Sequence, residues 1–487
     1  MGHAVNITKS ITKGITNGIA EGIAEGYSPD ASGQTVLSPV TGEALGEHTD
    51  PDRESLEALL AAIAEVDLAA QTDLTQRCGA LRALADALET DANALAAMIT
   101  LENGCPSAQA ANLQVHSAVG LLRAMADQGE QLTLEEERHA ARGGRVKILR
   151  HPLGPALGIV PWNVPLFLAC AKLASSLIAG CPMLLKPSPE NMRSMQRFAG
   201  HLNNLDLPSG AISLITGGRE LGAALVAHPL FRKVSCTGST AAGRAVARAC
   251  ADRLARCTLA LGGKSAAILL DALDFEAVQE QLFQAMLQNN GQVCGAQSRL
   301  LIPDYRYGEY RDRLVDLFES LQTGDPRDPA THIGPVVSTT AKQRIEAMVR
   351  RADDAGLKRL TFAPTGEYDT DALVAPRLFE APDSSSELWR EEVFGPVVVL
   401  QRYANVEHAI TLANDSNYGL SGSVWSADTE RAETVARQLR TGTIGINSKK
   451  ILDFAAPFGG WRDSGMGREF GPEGVEEYLE YSSILTH

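Results

Sequence analysis

Cysteine is scarce in this chain of 487 residues: there are eight, Cys78, Cys105, Cys170, Cys181, Cys236, Cys250, Cys257 and Cys294. None forms a C-x-x-C pair, and the spacing suits neither a disulfide scaffold nor a zinc site. No metal is expected, and free thiols in a reducing cytoplasm are expected for seven of the eight. Basic charge is also in deficit, with 44 Lys and Arg against 59 Asp and Glu and a net charge of −15. A nucleic-acid partner is therefore not expected, because binding one needs a basic stripe that displaces counterions from phosphates. Long apolar runs are lacking too. The N-terminus has no apolar core of a secretory signal. The one uncharged stretch long enough to consider as a membrane span runs from Leu153 to Ala171. Pro155, Pro161, Pro165 and Asn163 interrupt it, so it reads as buried strand, loop and helix start. No membrane contact is expected, and a soluble cytoplasmic protein remains.

What is present is a globular composition, 44% hydrophobic and 21% charged. At roughly 150 residues per domain, the length suggests about two to four domains. Residues 1–28 stand apart. Ile7, Ile11, Ile15, Ile19 and Ile23 recur every fourth residue, followed in step by Gly14, Gly18, Gly22 and Gly26. A period of four drifts about 40° per repeat on a 3.6-residue helix, and each glycine costs about 1 kcal/mol of helix stability. Two readings stand for this N-terminal arm: a frayed segment, or a helix formed against a partner subunit.

From Asp52 the pattern turns helical. Leu56, Leu59, Leu60 and Ile63 fall at i, i+3, i+4 and i+7, and Leu81, Leu84 and Leu88 make a similar face. From about Val146 short apolar runs alternate with helical stretches. Met183–Leu185, Ile212–Ile215 and Lys233–Cys236 read as strands, and a second series includes Ala266–Leu270 and Arg299–Ile302. That alternation predicts parallel α/β sheets, in two domains in tandem.

Several short segments carry chemistry. Asn289-Asn290-Gly291-Gln292-Val293-Cys294 follows an amphipathic helix and sets one cysteine in a glycine-containing turn. Exposed backbone amides there could stabilise a thiolate or an oxyanion. By itself, a buried inert cysteine is the better reading of that segment. Pro161-Trp162-Asn163-Val164-Pro165 holds a carboxamide in a rigid loop, able to donate to an oxyanion. Lys186-Pro187-Ser188 ends a strand, where α/β folds bind ligands. Thr237-Gly238-Ser239-Thr240 ends another strand and opens a helix whose N-terminus favours a phosphate. Leu261-Gly262-Gly263-Lys264-Ser265, Glu391-Glu392-Val393-Phe394-Gly395-Pro396, Pro457-Phe458-Gly459-Gly460 and Ser464-Gly465-Met466-Gly467-Arg468-Glu469 complete the series.

In this order and spacing, these segments resemble the aldehyde dehydrogenase superfamily from about residue 35 to the C-terminus. The resemblance implies an α/β fold with a Rossmann-type cofactor domain (29–133 and 153–261) and an α/β catalytic domain (262–445). It also implies a small β oligomerisation arm (134–152 and 471–487) and a segment, 446–470, returning near the active site. A homodimer or homotetramer is expected. By the same resemblance Cys294 is the nucleophile and Asn163 the oxyanion donor, helped by the backbone N–H of Cys294. Trp162, Lys186, Gly238, Ser239, Glu392 and Phe394 match cofactor-contacting positions, and Lys172 a lysine near the active-site cysteine. The implied chemistry runs from thiohemiacetal to thioester, with hydride passing to NAD or NADP, and then to release of the acyl group.

Two departures stand out. The family usually reads Glu-Leu-Gly-Gly-Lys, whereas this chain has Ala260-Leu261-Gly262-Gly263-Lys264, with Ala260 34 residues before Cys294. A methyl group accepts no proton, and loss of a general base commonly costs about 10²–10⁴ in rate. Four explanations remain open: a cycle halted at a bound or acylated state, another base with Glu469 as candidate, thioester transfer to coenzyme A, or a binding or structural relative with little turnover. The second departure is Pro189 where many NAD-using members carry an acid, with Glu190 one position later. A carboxylate that binds the 2′-hydroxyl repels a 2′-phosphate, so its displacement leaves NADP open beside NAD, which is favoured slightly. The tunnel residues implied by position, Val164, Leu168, Ala171, Val293, Leu452 and Phe458, include no arginine for a substrate carboxylate. An apolar or aromatic aldehyde is expected.

Overall fold

The computed structural model describes residues 33–270, 273–362, 368, 370–448 and 452–486. The isoleucine–glycine arm, 1–28, lies outside them. The leucine periodicity gives helices Arg53–Ala64 and Leu74–Thr90, whose predicted faces are buried. Asp52 and Asp73 cap them by accepting from the backbone N–H of Ser55 and Gln76, which satisfies donors left free at a helix start.

Two sheets carry the molecule. The first has six strands in the spatial order Gly465–Met466, Arg256–Ala260, Lys233–Thr237, Ala156–Val160, Met183–Pro187 and Ile212–Leu214. Five run parallel, and the short Gly465–Met466 strand adds antiparallel to the edge, Gly465 opposite Ala260. The second sheet has seven strands and is parallel apart from its edge strand Lys358–Arg359. Its central strands Ala266–Leu269, Arg299–Pro303 and Ser421–Trp425 are buried throughout, as β-strands covered on both faces must be. The α/β expectation holds, with antiparallel additions at the edges.

A third, three-stranded antiparallel sheet joins Glu135–His139, Arg145–Pro152 and Leu479–Thr486. Its edge strand Leu479–Thr486 leaves Tyr481, Ile484 and Leu485 exposed. The uncharged stretch 153–171 becomes the strand Ala156–Val160, a loop, and the first half of helix Pro165–Ala179, which is buried along its whole length. No helix among the described residues is long and apolar enough to cross a membrane.

In the six-stranded sheet the chain moves outward from Ala156–Val160 in one direction, then returns to place Lys233–Thr237 on its other side. Strand order reverses there. α/β sheets bind ligands in the crevice outside the carboxyl ends of strands at such a switch point.

Candidate active site

The switch point gathers the motifs. Trp162 and Asn163 follow the strand Ala156–Val160, and Gly238 and Ser239 follow the neighbouring Lys233–Thr237. Lys186 lies near the end of the next strand over, buried, with its Nζ donating to the carbonyl of Gly217. Burial lowers its pKa. Ser239 caps helix Thr240–Ala251 by accepting from the Ala242 N–H. A Cβ on Gly238 would meet nothing closer than Ala242 at 3.9 Å, so the helix entrance is open.

Glu392 reaches the site from the seven-stranded domain, and its Oε1 accepts from the Gly263 N–H at 3.1 Å. A Cβ on Gly262 would lie 2.2 Å from the Glu392 carboxylate, and one on Gly263 2.6 Å from the carbonyl of Cys294. The Gly262-Gly263 pair therefore lets both segments close on one point. Burial pushes the Glu392 carboxyl up to about 7, against the opposing pull of the Gly263 N–H and the Lys264 and Arg344 charges. Phe394 stands edge-on to Trp162, ring centroids 5.5 Å apart. A carboxylate for sugar hydroxyls, a buried lysine, an open helix N-terminus and an aromatic wall form a donor set that fits a dinucleotide. Glu190 accepts from the Ser188 hydroxyl directly after the lysine-bearing strand, so a carboxylate does stand at that strand end.

Cys294 follows helix Phe275–Leu287 and a tight turn, Gln288–Gly291. Asn289 and Asn290 are left-handed, with φ of 52° and 61°. Gly291 has φ of 73°, and a Cβ there would sit 2.3 Å from the Gly395 carbonyl. Such backbone is uncommon outside glycine and asparagine and marks a turn held by its surroundings. Burial pushes the Cys294 thiol up to about 12, the Glu392 charge adding to it, while the Gly295 N–H and its own N–H oppose.

Asn163 is buried, and its Nδ2 donates to the carbonyl of Gln292 at 2.9 Å, two residues before Cys294. Its own carbonyl accepts from three side-chain amides, Asn103, Gln114 and Asn289, each at 3.0 Å. No motif in the sequence pointed to Asn103 or Gln114, because they come from distant helical segments and become neighbours through packing alone.

On the same side of the sheet, the Lys172 Nζ donates to Glu469 Oε1 at 2.6 Å, to Thr237 Oγ1 at 2.8 Å and to Ser235 Oγ at 3.1 Å. Both partners of this ion pair are buried. Glu469 Oε2 has no hydrogen-bond partner. Ala260 is buried opposite Thr237 in the parallel register. Strand alternation puts Ala260 on the Thr237 and Ser235 face, the face that meets Lys172 and Glu469.

Val164, Leu168, Ala171 and Phe458 are buried in one apolar cluster, with Cys294, Leu452 and Phe454 packed against it. Phe167, Phe454, Phe458 and Phe470 form a chain of ring contacts 5.7–6.2 Å apart. Phe167, Phe454 and Phe470 were not expected at the site. Among the described residues no group of His, Cys, Asp and Glu is placed to hold a metal ion.

The family model of the aldehyde dehydrogenases matches residues 27–484. Geranial dehydrogenase of Castellaniella defragrans is 39% identical, with 92% of this chain and 94% of that protein covered. The NAD+ complex of a Mycobacterium tuberculosis aldehyde dehydrogenase superposes with a TM-score of 0.89 at 34% identity, covering 93% and 94% of the two chains. An aldehyde dehydrogenase of Pseudomonas syringae, solved as a mutant with NAD+ and octanal, matches with a TM-score of 0.88 at 32% identity over 93% of each chain. With that coverage and this site, the chain belongs to the aldehyde dehydrogenase family.

Proposed function

We propose that Cys294 is the nucleophile through which this chain oxidises aldehydes to carboxylic acids with NAD+. The carrying observation is the hydrogen bond from Asn163 Nδ2 to Gln292, which ties the carboxamide to the turn that holds Cys294. A carboxamide nitrogen has two N–H groups. One is held by Gln292, and the second is free to donate to the oxygen of an aldehyde as Cys294 adds to its carbonyl carbon. The Cys294 backbone N–H is the second donor. Such donors are worth about 10²–10³ in rate each. When bound, NAD+ would supply the hydride acceptor for the thiohemiacetal on Cys294, whose sulfur would then carry the acyl group as a thioester. Lys186, Gly238, Ser239, Glu392, Trp162 and Phe394 hold the cofactor, with Glu392 accepting from ribose hydroxyls.

Glu469 supplies the base that Ala260 cannot. Its unpartnered Oε2 accepts a proton from the water that hydrolyses the thioester, while Lys172 Nζ donates to Oε1 and holds the carboxylate in place. With a methyl group at Ala260 in place of the family's glutamate, deacylation is the slow step. Ala260 also suits thioester transfer to coenzyme A; turnover that does not respond to coenzyme A would set that reading aside.

The substrate is an apolar or aromatic aldehyde, because Cys294 packs against an apolar cluster that includes Val164, Leu168 and Phe458. Geranial and octanal, named for two relatives, are of this kind. The chain forms a homodimer or homotetramer through the three-stranded arm, since an edge strand exposing Tyr481, Ile484 and Leu485 is a template for a second copy. A panel of aldehydes tests the substrate reading. Octanal and phenylacetaldehyde should give kcat/KM well above succinic semialdehyde, and Cys294→Ala should abolish all three activities. A preference for the semialdehyde would overturn it.

A further inference from the structure

Asn163 is held by more than its own side chain. Its carbonyl has two lone pairs and takes three amide donors, from Asn103 at the end of helix Ala92–Asn103, from Asn289 in the cysteine turn, and from Gln114. Gln114 is fully buried and lies in a six-residue π-helical segment, Ala111–His116. That segment runs between the helical residues Ser107–Ala110 and Ser117–Gly129 without a break. The Asn112 carbonyl there accepts from the N–H of Ser117, five residues on, and from its hydroxyl at 2.8 Å. A π turn is rare and is kept where its extra residue re-aims a side chain, frequently at functional sites. Here the side chain brought in is a carboxamide that ends on the Asn163 carbonyl.

We propose that Gln114 is a positioning residue for aldehyde oxidation: from the π-helical turn it fixes the Asn163 peptide, so that the Asn163 carboxamide keeps one N–H on Gln292 and turns the other to the reacting oxygen. The inference rests on Asn163 being the oxyanion donor. Oxyanion donors act through preorganisation, and a displacement of about 1 Å can cost about 10²-fold in rate. Gln114 touches neither substrate nor cofactor. Its removal loosens the peptide without removing the donor, so the loss should be smaller than that of Asn163 itself.

A double-mutant cycle read by the rate constant of the first-turnover NADH burst tests this. Gln114→Met should lower that rate constant about tenfold, within the range expected for a displaced catalytic group. The aldehyde KM and the NAD+ affinity should stay within about twofold, since positioning acts on the transition state. On an Asn163→Ala background the same substitution should have no further effect. Gln114→Glu is the second variant, nearly isosteric, so it keeps the packing if methionine does not. A protonated glutamic acid donates to the Asn163 carbonyl and an ionised one repels it. The ratio of its burst rate constant to that of the unmodified enzyme should therefore climb as pH falls from 8 to 6. An unchanged burst in Gln114→Met, an equal loss on both backgrounds, or a ratio flat across pH would overturn the role of Gln114. A normal burst in Asn163→Ala would instead overturn the oxyanion reading beneath it.

Discussion

At the scale of single residues, two ionisable groups define how the site responds to pH. Burial holds the Cys294 thiol up at about 12, so the free enzyme carries little thiolate at neutral pH. A nicotinamide cation beside it favours the thiolate, as any nearby positive charge does. Alkylation of Cys294 by iodoacetamide should therefore be slow at pH 7 in the free enzyme, rise about tenfold per pH unit above it, and accelerate when NAD+ is added. Peptide mapping of the alkylated residue checks this, and equal rates with and without NAD+ would contradict it. Glu392 is pushed up to about 7, chiefly by burial. Its charged form is the better acceptor for ribose hydroxyls, so NAD+ should bind more tightly as pH rises from 6 to 8. Glu392→Gln should flatten that dependence in a fluorescence titration. Cys257 is a free, half-buried thiol: a hydrogen bond from Cys250 lowers its pKa, and its Sγ lies 3.8 Å from Met466 Sδ.

At the scale of elements, the turn before Cys294 is built on conformations that most residues resist. Gly291 sits at positive φ with the Gly395 carbonyl where a Cβ would be. Gly291→Ala should cost about 1–3 kcal/mol in stability and reduce the burst amplitude, because the turn must open to admit a methyl group. A variant with normal burst amplitude and unchanged unfolding midpoint would show that the turn has slack. Much at this scale was legible in the sequence. Met183–Leu185 is a strand because buried parallel strands are continuous apolar runs, and the glycine motifs mark where backbone approaches a ligand. Lys233–Cys236 is a buried strand as well, although its Lys233 and Ser235 are polar. The π-helical turn at Ala111–His116 was not legible, since its residues carry the same apolar and polar types as an ordinary helix. Nor was the antiparallel pairing of Gly465–Met466 with Leu259 and Ala260, a contact across about two hundred residues that no local pattern encodes.

At the scale of the molecule, the Lys172–Glu469 pair links helix Pro165–Ala179 to the segment returning from the second domain. Breaking a buried pair from one side leaves an uncompensated charge and costs about 3–5 kcal/mol. Lys172→Met should therefore lower the thermal midpoint clearly, and Lys172→Met with Glu469→Leu should recover most of the loss. Equal midpoints for the single variant and the unmodified chain would show that the pair carries no stability. The same pair joins stability to chemistry, because Glu469 faces the side of the sheet where Ala260 has no carboxylate.

The proposed mechanism is covalent catalysis at Cys294 followed by slow deacylation. Stopped-flow absorbance of NADH after mixing with excess octanal reads both at once. The predicted trace is a burst of one NADH per active Cys294, then a slow linear phase. Ala260→Glu should speed the linear phase, and Glu469→Gln should slow it while leaving the burst intact. A trace that is linear from the first turnover, and unaltered by Ala260→Glu, would contradict it.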